Sequence, residues 1–99
     1  MEITQIKIRR LMNDGRLRAL VSIVLDDLLA VHDIKVINGH SRLFVAMPSR
    51  QETDGTYRDI VHPLNSELRE KFEKQIISAY YAALKNLELS IDDNPSDML

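Results

Sequence analysis

Cysteine is absent from the 99 residues, so the chain has no disulfide frame, no thiolate nucleophile and no soft metal site. Long apolar runs are absent too. The opening MEITQIKIRR alternates instead of forming the apolar block of a signal peptide, and nothing approaches the roughly 20 residues that a membrane-spanning helix needs. A soluble, cytoplasmic protein is expected. Also missing are internal repeats, low-complexity tracts, glycine-rich phosphate cradles, serine elbows and zinc-ligand spacings. His32, His40 and His62 include no i, i+4 pair that would set two imidazoles on one metal. His32 and Asp33 look like a dyad in print, but neighbours on a strand point to opposite faces. His32 is expected on the core side with a hydrogen-bond partner, and Asp26-Asp27 reads most simply as a turn. These absences leave little support for an enzyme and none for a cofactor or a metal.

What is present is an uneven spread of charge. The formal net charge is −2, yet Glu88, Asp92, Asp93 and Asp97 are the only charged residues from position 88 onward, so the body carries 13 basic against 11 acidic residues. Lys7, Arg9, Arg10, Arg16 and Arg18 crowd into one short stretch with a single acid, Asp14. Leu17, Ala19, Val21, Ile23 and Leu25 alternate perfectly and define the buried face of a strand. With Asp14-Gly15 as a two-residue hairpin turn, Ile6 faces Ile23, Ile8 faces Val21 and Met12 faces Leu17 on that same side. A one-residue slip would turn Ile6 and Ile8 to the wrong face. Lys7, Arg9, Arg16 and Arg18 then share the opposite face. Like charges so placed repel by a few tenths of a kcal/mol or more unless an anionic partner relieves them, which is the physical case for nucleic acid. A plainly solvated sheet face is the alternative.

The meander extends. Asp26-Asp27 as a second tight turn sets Leu25 opposite Leu28, Val21 opposite His32 and Leu17 opposite Val36, leaving Leu20, Val24, Leu29 and Val31 clustered on the other face with Lys35 beside Arg18. Such an apolar cluster needs a cover, either the C-terminal helix or a second subunit. The spacing predicts that helix over about Ser66 to Leu87, with Leu68, Phe72, Ile76, Ala79, Tyr80, Ala83 and Leu87 as its core stripe. Ile77, Tyr81 and Leu84 widen the apolar arc, for a partner or for the end of the same sheet. Glu67, Glu70 and Glu73 near its start and Lys85 near its end suit the helix dipole.

The most specific stretch is Leu43 to Pro63, LFVAMPSRQETDGTYRDIVHP. Leu43 to Met47 is of strand type and Pro48 ends it. A polar excursion, Ser49 to Gly55, holds Arg50 and closes on Asp54-Gly55, which returns the chain antiparallel. Thr56 to Val61 alternates as a second strand up to His62-Pro63, after which Asn65 or Ser66 can cap a helix. These residues, with VHDIKVINGHSRLFVAMP before them and Asn65-Ser66 after them, resemble the bacterial stage V sporulation protein G (SpoVG) family, also known as septation proteins. The likeness is collinear from about Met1 to the middle of the helix. It implies a small DNA- and RNA-binding regulator linked to septum formation and sporulation. It places Arg50 most directly among the binding residues. Members usually carry two basic residues after MPS, whereas the second here is Gln51. Arg42 stands where a glycine is common, which adds a cation or alters the turn.

The expectation is therefore an α+β domain over residues 1–87, an antiparallel sheet of about five strands with a C-terminal helix, followed by an acidic flexible tail over 88–99. The expected work is non-catalytic. Lys7, Arg9, Arg16 and Arg18 contact phosphates of DNA or RNA, Arg50 and Arg58 add contacts from the loop hairpin, and the chain forms a homodimer. The rival is a protein-interaction module in cell division that docks through apolar surface.

Overall fold

A computed structural model describes the backbone of residues 1–12 and 15–98 and the side chains up to Leu87. The expected acidic tail falls on residues whose side chains lie outside that range, as does Asp14 of the first turn. Six strands and a helix follow in order: β1 (Ile3–Leu11), β2 (Leu17–Leu25), β3 (Leu29–Asn38), β4 (Leu43–Ala46), β5 (Ser49–Gln51), β6 (Tyr57–Asp59) and α1 (Ser66–Met98). β1 to β4 form one antiparallel sheet in sequence order. β5 and β6 pair only with each other, so the expected sheet of about five strands is four strands plus a separate hairpin. Pro48 accounts for the division, because it breaks the chain after β4 without a donor for a ladder.

One face of the large sheet is covered by α1. Ala19, Val21, Ile23 and Leu25 of β2 meet Val31, Ile34 and Val36 of β3 and Val45 of β4, and Phe72, Ile76 and Tyr80 of α1 close the core over them. The helix buries one narrow stripe at four-residue steps; Leu87, expected in that stripe, is exposed. Asn65 caps α1, its side-chain oxygen accepting from the Leu68 amide at 2.7 Å. Glu73 ties the helix to the edge strand: its carboxylate accepts from Arg42 at 2.8 Å and from the Val45 amide at 3.3 Å. Arg42 is thus a fold cation, paired within the protein.

The register departs from simple alternation at bulges, and these decide which side chains leave the core. Ile6 faces Ile23 and Ile8 faces Val21, as the sequence predicts, but Arg9 is an extra residue and the ladder resumes with Arg10 opposite Leu20 and Leu11 opposite Ala19. Met12 therefore does not face Leu17; its amide bonds the Arg18 carbonyl. Arg18 is a second extra residue, between the pairs Leu17–Ile37 and Ala19–Val36. A further bulge puts His32 and Asp33 opposite Ser22, between Val21–Ile34 and Ile23–Val31, with Asp33 at a φ of 63°, and Thr4 is an extra residue between Ile3–Leu25 and Gln5–Val24.

The second turn forms with Asp26 and Asp27 both at positive φ, but the ladder restarts with Leu25 opposite Leu29, and Leu28 is left in water. With the bulges, that extra residue replaces the expected pairs Val21–His32 and Leu17–Val36 by Val21–Ile34 and Leu17–Ile37, and moves Leu29 from the far-face cluster to a place opposite Leu25 on the core side. Val31 is in the core, and His32 is exposed on the far face, where its Nδ1 lies 2.8 Å from the Ser22 hydroxyl. The β3–β4 turn has its own constraint. A Cβ on Gly39 would meet the Arg42 carbonyl at 2.8 Å and the Phe44 ring at 2.9 Å, so only glycine fits.

Candidate nucleic-acid interface

The face of the sheet that α1 leaves uncovered carries a group of cations. Lys7 stands opposite Ser22, and a row Arg10–Leu20–Lys35 crosses β1, β2 and β3, which puts the two cations of the row roughly 10 Å apart at the usual strand spacing. Arg9 lines a shallow cleft of about 330 Å³ with Leu20, Ser22, His32 and Asp33. Among the described residues, Lys7, Arg9, Arg10 and Lys35 have no ion-pair partner. Asp33 shares the cleft with Arg9 but does not come within salt-bridge distance. Leu17, Leu20, Val24, Ile37 and Phe44 are half-buried and lie outside the core cluster, so the face is cationic over a partly apolar floor.

The predicted basic residues do not all belong to this group. Lys7 and Arg9 do. Arg16 sits at the sheet end beside Asn38, Gly39 and His40, and its Nε donates to the Asn38 carbonyl at 3.5 Å. Arg18 is turned to the helix side by its bulge, where its Nε donates to the Tyr80 hydroxyl at 3.5 Å, and Tyr80 is 2% exposed. Strict alternation turns Arg10 inward, and the extra residue at Arg9 brings it to the open face opposite Leu20. No local signal in β1 marks the bulge at Arg9 that brings it out.

A second group lies on the β5–β6 hairpin. Arg50 and Arg58 are directly opposite each other, and their side chains are 73% and 79% exposed. Glu52 lies between them, its carboxylate 4.0 Å from Arg50 and 3.6 Å from Arg58. Glu52 is the one carboxylate within ion-pair distance of the two guanidinium groups among the described residues, and Asp59 lines the same cleft. The tip is held by Asp54, which accepts from the Thr56 amide at 3.0 Å and hydroxyl at 2.7 Å. Those bonds to the ionised form hold the Asp54 carboxyl below the usual carboxylate range. Gln51, where the family resemblance expects a cation, donates instead to the Gly55 carbonyl at 3.3 Å.

The histidines stay apart: His32 on the open face, His40 near Arg16 and His62 beside an apolar cavity. Among the described residues no three His, Asp or Glu side chains gather as a metal site, and no helix is long and apolar enough to cross a membrane.

A family profile described as SpoVG matches residues 1–82. Among curated proteins, the chain is 46% identical over 92 residues to "Putative septation protein SpoVG" of Clostridioides difficile, covering 93% of this chain and 100% of that protein. It is 51% identical over 83 residues to the protein of the same name from Lachnospira eligens, covering 84% of this chain and 94% of the other. The Staphylococcus carnosus protein of that name is 49% identical over 80 residues, covering 81% of this chain and 75% of its own length.

Proposed function

The chain belongs to the SpoVG family, and on that premise we propose that it is a non-catalytic, cytoplasmic nucleic-acid-binding regulator linked to septum formation, the process its relatives' name invokes. DNA and RNA both present the phosphate backbone that its cations suit. The observation that carries this reading is the set Lys7, Arg9, Arg10 and Lys35, which share the helix-free face without a carboxylate partner among the described residues. Holding like charges together costs stability. A polyanion reverses that cost and releases its own counterions.

The test is a salt titration of duplex binding. Four phosphate contacts give a log-log slope of about −3.6, and contacts from Arg50 and Arg58 would steepen it. A slope near zero would favour docking to a protein through apolar surface, since burial of apolar area is insensitive to modest salt.

A second copy of the chain is the proposed cover for the apolar end of the molecule. There Met1, Leu29, Val61 and Leu64 rim a cavity of about 370 Å³ whose base is Leu25 and Phe72, with Leu64 90% and nearby Leu28 88% exposed. These exposed side chains gather apolar surface at one end of the molecule, which a second copy would cover. Light scattering reads the outcome, and a monomer at high micromolar concentration rejects the dimer.

A further inference from the structure

Of the three tyrosines, two belong to α1 and meet each other, and only one of those is in the core. Tyr80 is buried, and Tyr81 leans on it with ring centroids 5.6 Å apart. Tyr57 is different. It stands on β6 with 71% of its surface exposed and is in no ring pair among the described residues. An aromatic side chain left in water forgoes a large burial, and here the hairpin provides no cover, because Gln51 directly across from it is drawn off to the Gly55 carbonyl. Pairing with β5 fixes the backbone under the ring, so only two side-chain torsions remain to be ordered on contact. Arg58 is its neighbour along the strand and Arg50 its diagonal neighbour.

We propose that Tyr57 stacks on an unpaired base, so that the hairpin selects single-stranded over duplex nucleic acid; this rests on the nucleic-acid reading above and names the form of the ligand. Two physical facts carry it. In a duplex both faces of every base are covered by its neighbours, so only a base that has left the stack can offer its π-face to a ring. The geometry supplies the second. Neighbouring positions on a strand point to opposite faces, so Tyr57 lies on one face of the hairpin and Arg50 and Arg58 on the other. A flexible single strand can cross the edge of a ribbon two strands, about 5 Å, wide, laying a base on Tyr57 and its phosphates against the two arginines. A duplex, stiff over about 150 base pairs, cannot fold round it.

The test measures affinity of the full chain for one single-stranded oligonucleotide, as DNA and as RNA, and for the matching duplex. The variants are Tyr57→Ala, Tyr57→Phe and Tyr57→Trp. Tyr57→Ala should weaken single-strand binding by about 5- to 150-fold and leave duplex binding and the melting temperature unchanged. Tyr57→Phe should bind as wild type does, since the ring and not the hydroxyl is used. Tyr57→Trp places the only tryptophan in the chain, and its fluorescence should be quenched by the single strand and not by the duplex. A loss in Tyr57→Ala on either the DNA or the RNA strand supports the stacking and shows which sugar the site takes. Wild type that binds both forms while Tyr57→Ala loses nothing, or loses equally on strand and duplex, overturns the stacking alone. Wild type that binds neither overturns the nucleic-acid reading and the stacking with it.

Discussion

Replacing Arg10 and Lys35 together by alanine should change how duplex binding responds to salt, while Arg18→Ala should change stability instead. The two cations flank Leu20 on the open face, and their side chains make no hydrogen bond or ion pair among the described residues, so each is available to a phosphate. At about 0.9 per contact, losing both flattens the log-log slope by about 1.8. Between 50 and 200 mM salt, a four-contact complex loses roughly 150-fold in affinity and the two-contact variant only about 12-fold. The melting temperature should barely move, since Arg10 is exposed and Lys35 half-buried on an uncovered face, and cations removed from like-charged neighbours there are worth a few tenths of a kcal/mol. Arg18 has the reverse balance. Its bond to the Tyr80 hydroxyl is long at 3.5 Å, so its loss costs the lower end of the range for a buried hydroxyl left unpaired, about 1 kcal/mol. In a domain of this size that lowers the melting temperature by about 4–8 °C. Fluorescence anisotropy at four or five salt concentrations, with thermal unfolding on the same samples, reads both. If Arg18→Ala flattened the slope as much as the double variant does, or the double variant kept the wild-type slope, the open face would not be the phosphate site.

The elements were legible where local chemistry decides them: the alternation in β2, the Asp26-Asp27 and Asp54-Gly55 turns, the Asn65 cap and the Phe72, Ile76, Tyr80 stripe. The α+β class follows from these. The side of the sheet on which each cation lies was not legible, because it depends on bulges. An extra residue at Arg9, Arg18 or Asp33 leaves no mark in composition, since its cause is the fit of one strand to its neighbours and to the helix. Each bulge shifts a face by one position. That is how Arg10 came to the open face and Arg18 went to Tyr80, while the extra turn residue Leu28 together with the Asp33 bulge put Val31 in the core and His32 on the open face. Leu43 to Pro63 was readable in another way, its motif identifying the family before any face was known. Even there the hairpin's independence from the main sheet, and hence the exposure of Tyr57, depends on Pro48 breaking the chain in three dimensions.

Three further outcomes follow from the same geometry. Val31→Lys should unfold the protein, because the side chain is buried in the core and an unpaired buried charge costs several kcal/mol, whereas Leu64→Lys should leave the monomer folded and abolish the dimer in light scattering. The Asp54 carboxyl is held below its ordinary range by the Thr56 bonds, so its contribution to the hairpin is complete above the unfolded-state value and lost as pH falls through the folded one; backbone amides of residues 49–59 that stay unshifted in acid would contradict this. The last concerns Asp33, whose φ of 63° is the left-handed conformation that aspartate tolerates and β-branched residues do not. Asp33→Gly should be near neutral, the easier backbone offsetting the greater freedom lost on folding. Asp33→Val should cost roughly 1–2 kcal/mol. Deleting Asp33 is a harsher test, for without the extra residue strict alternation through β3 would turn Val31 out to water or move Ile34 and Val36 off the core, and no folded protein should be recovered. The two point variants also separate fold from function, because the bulge holds His32 beside Ser22 within the cationic face. Asp33→Gly should therefore bind nucleic acid with the wild-type salt slope. Asp33→Val that melts at the wild-type temperature would show that the bulge is not where the register places it, and the assignment of the open face would fail with it.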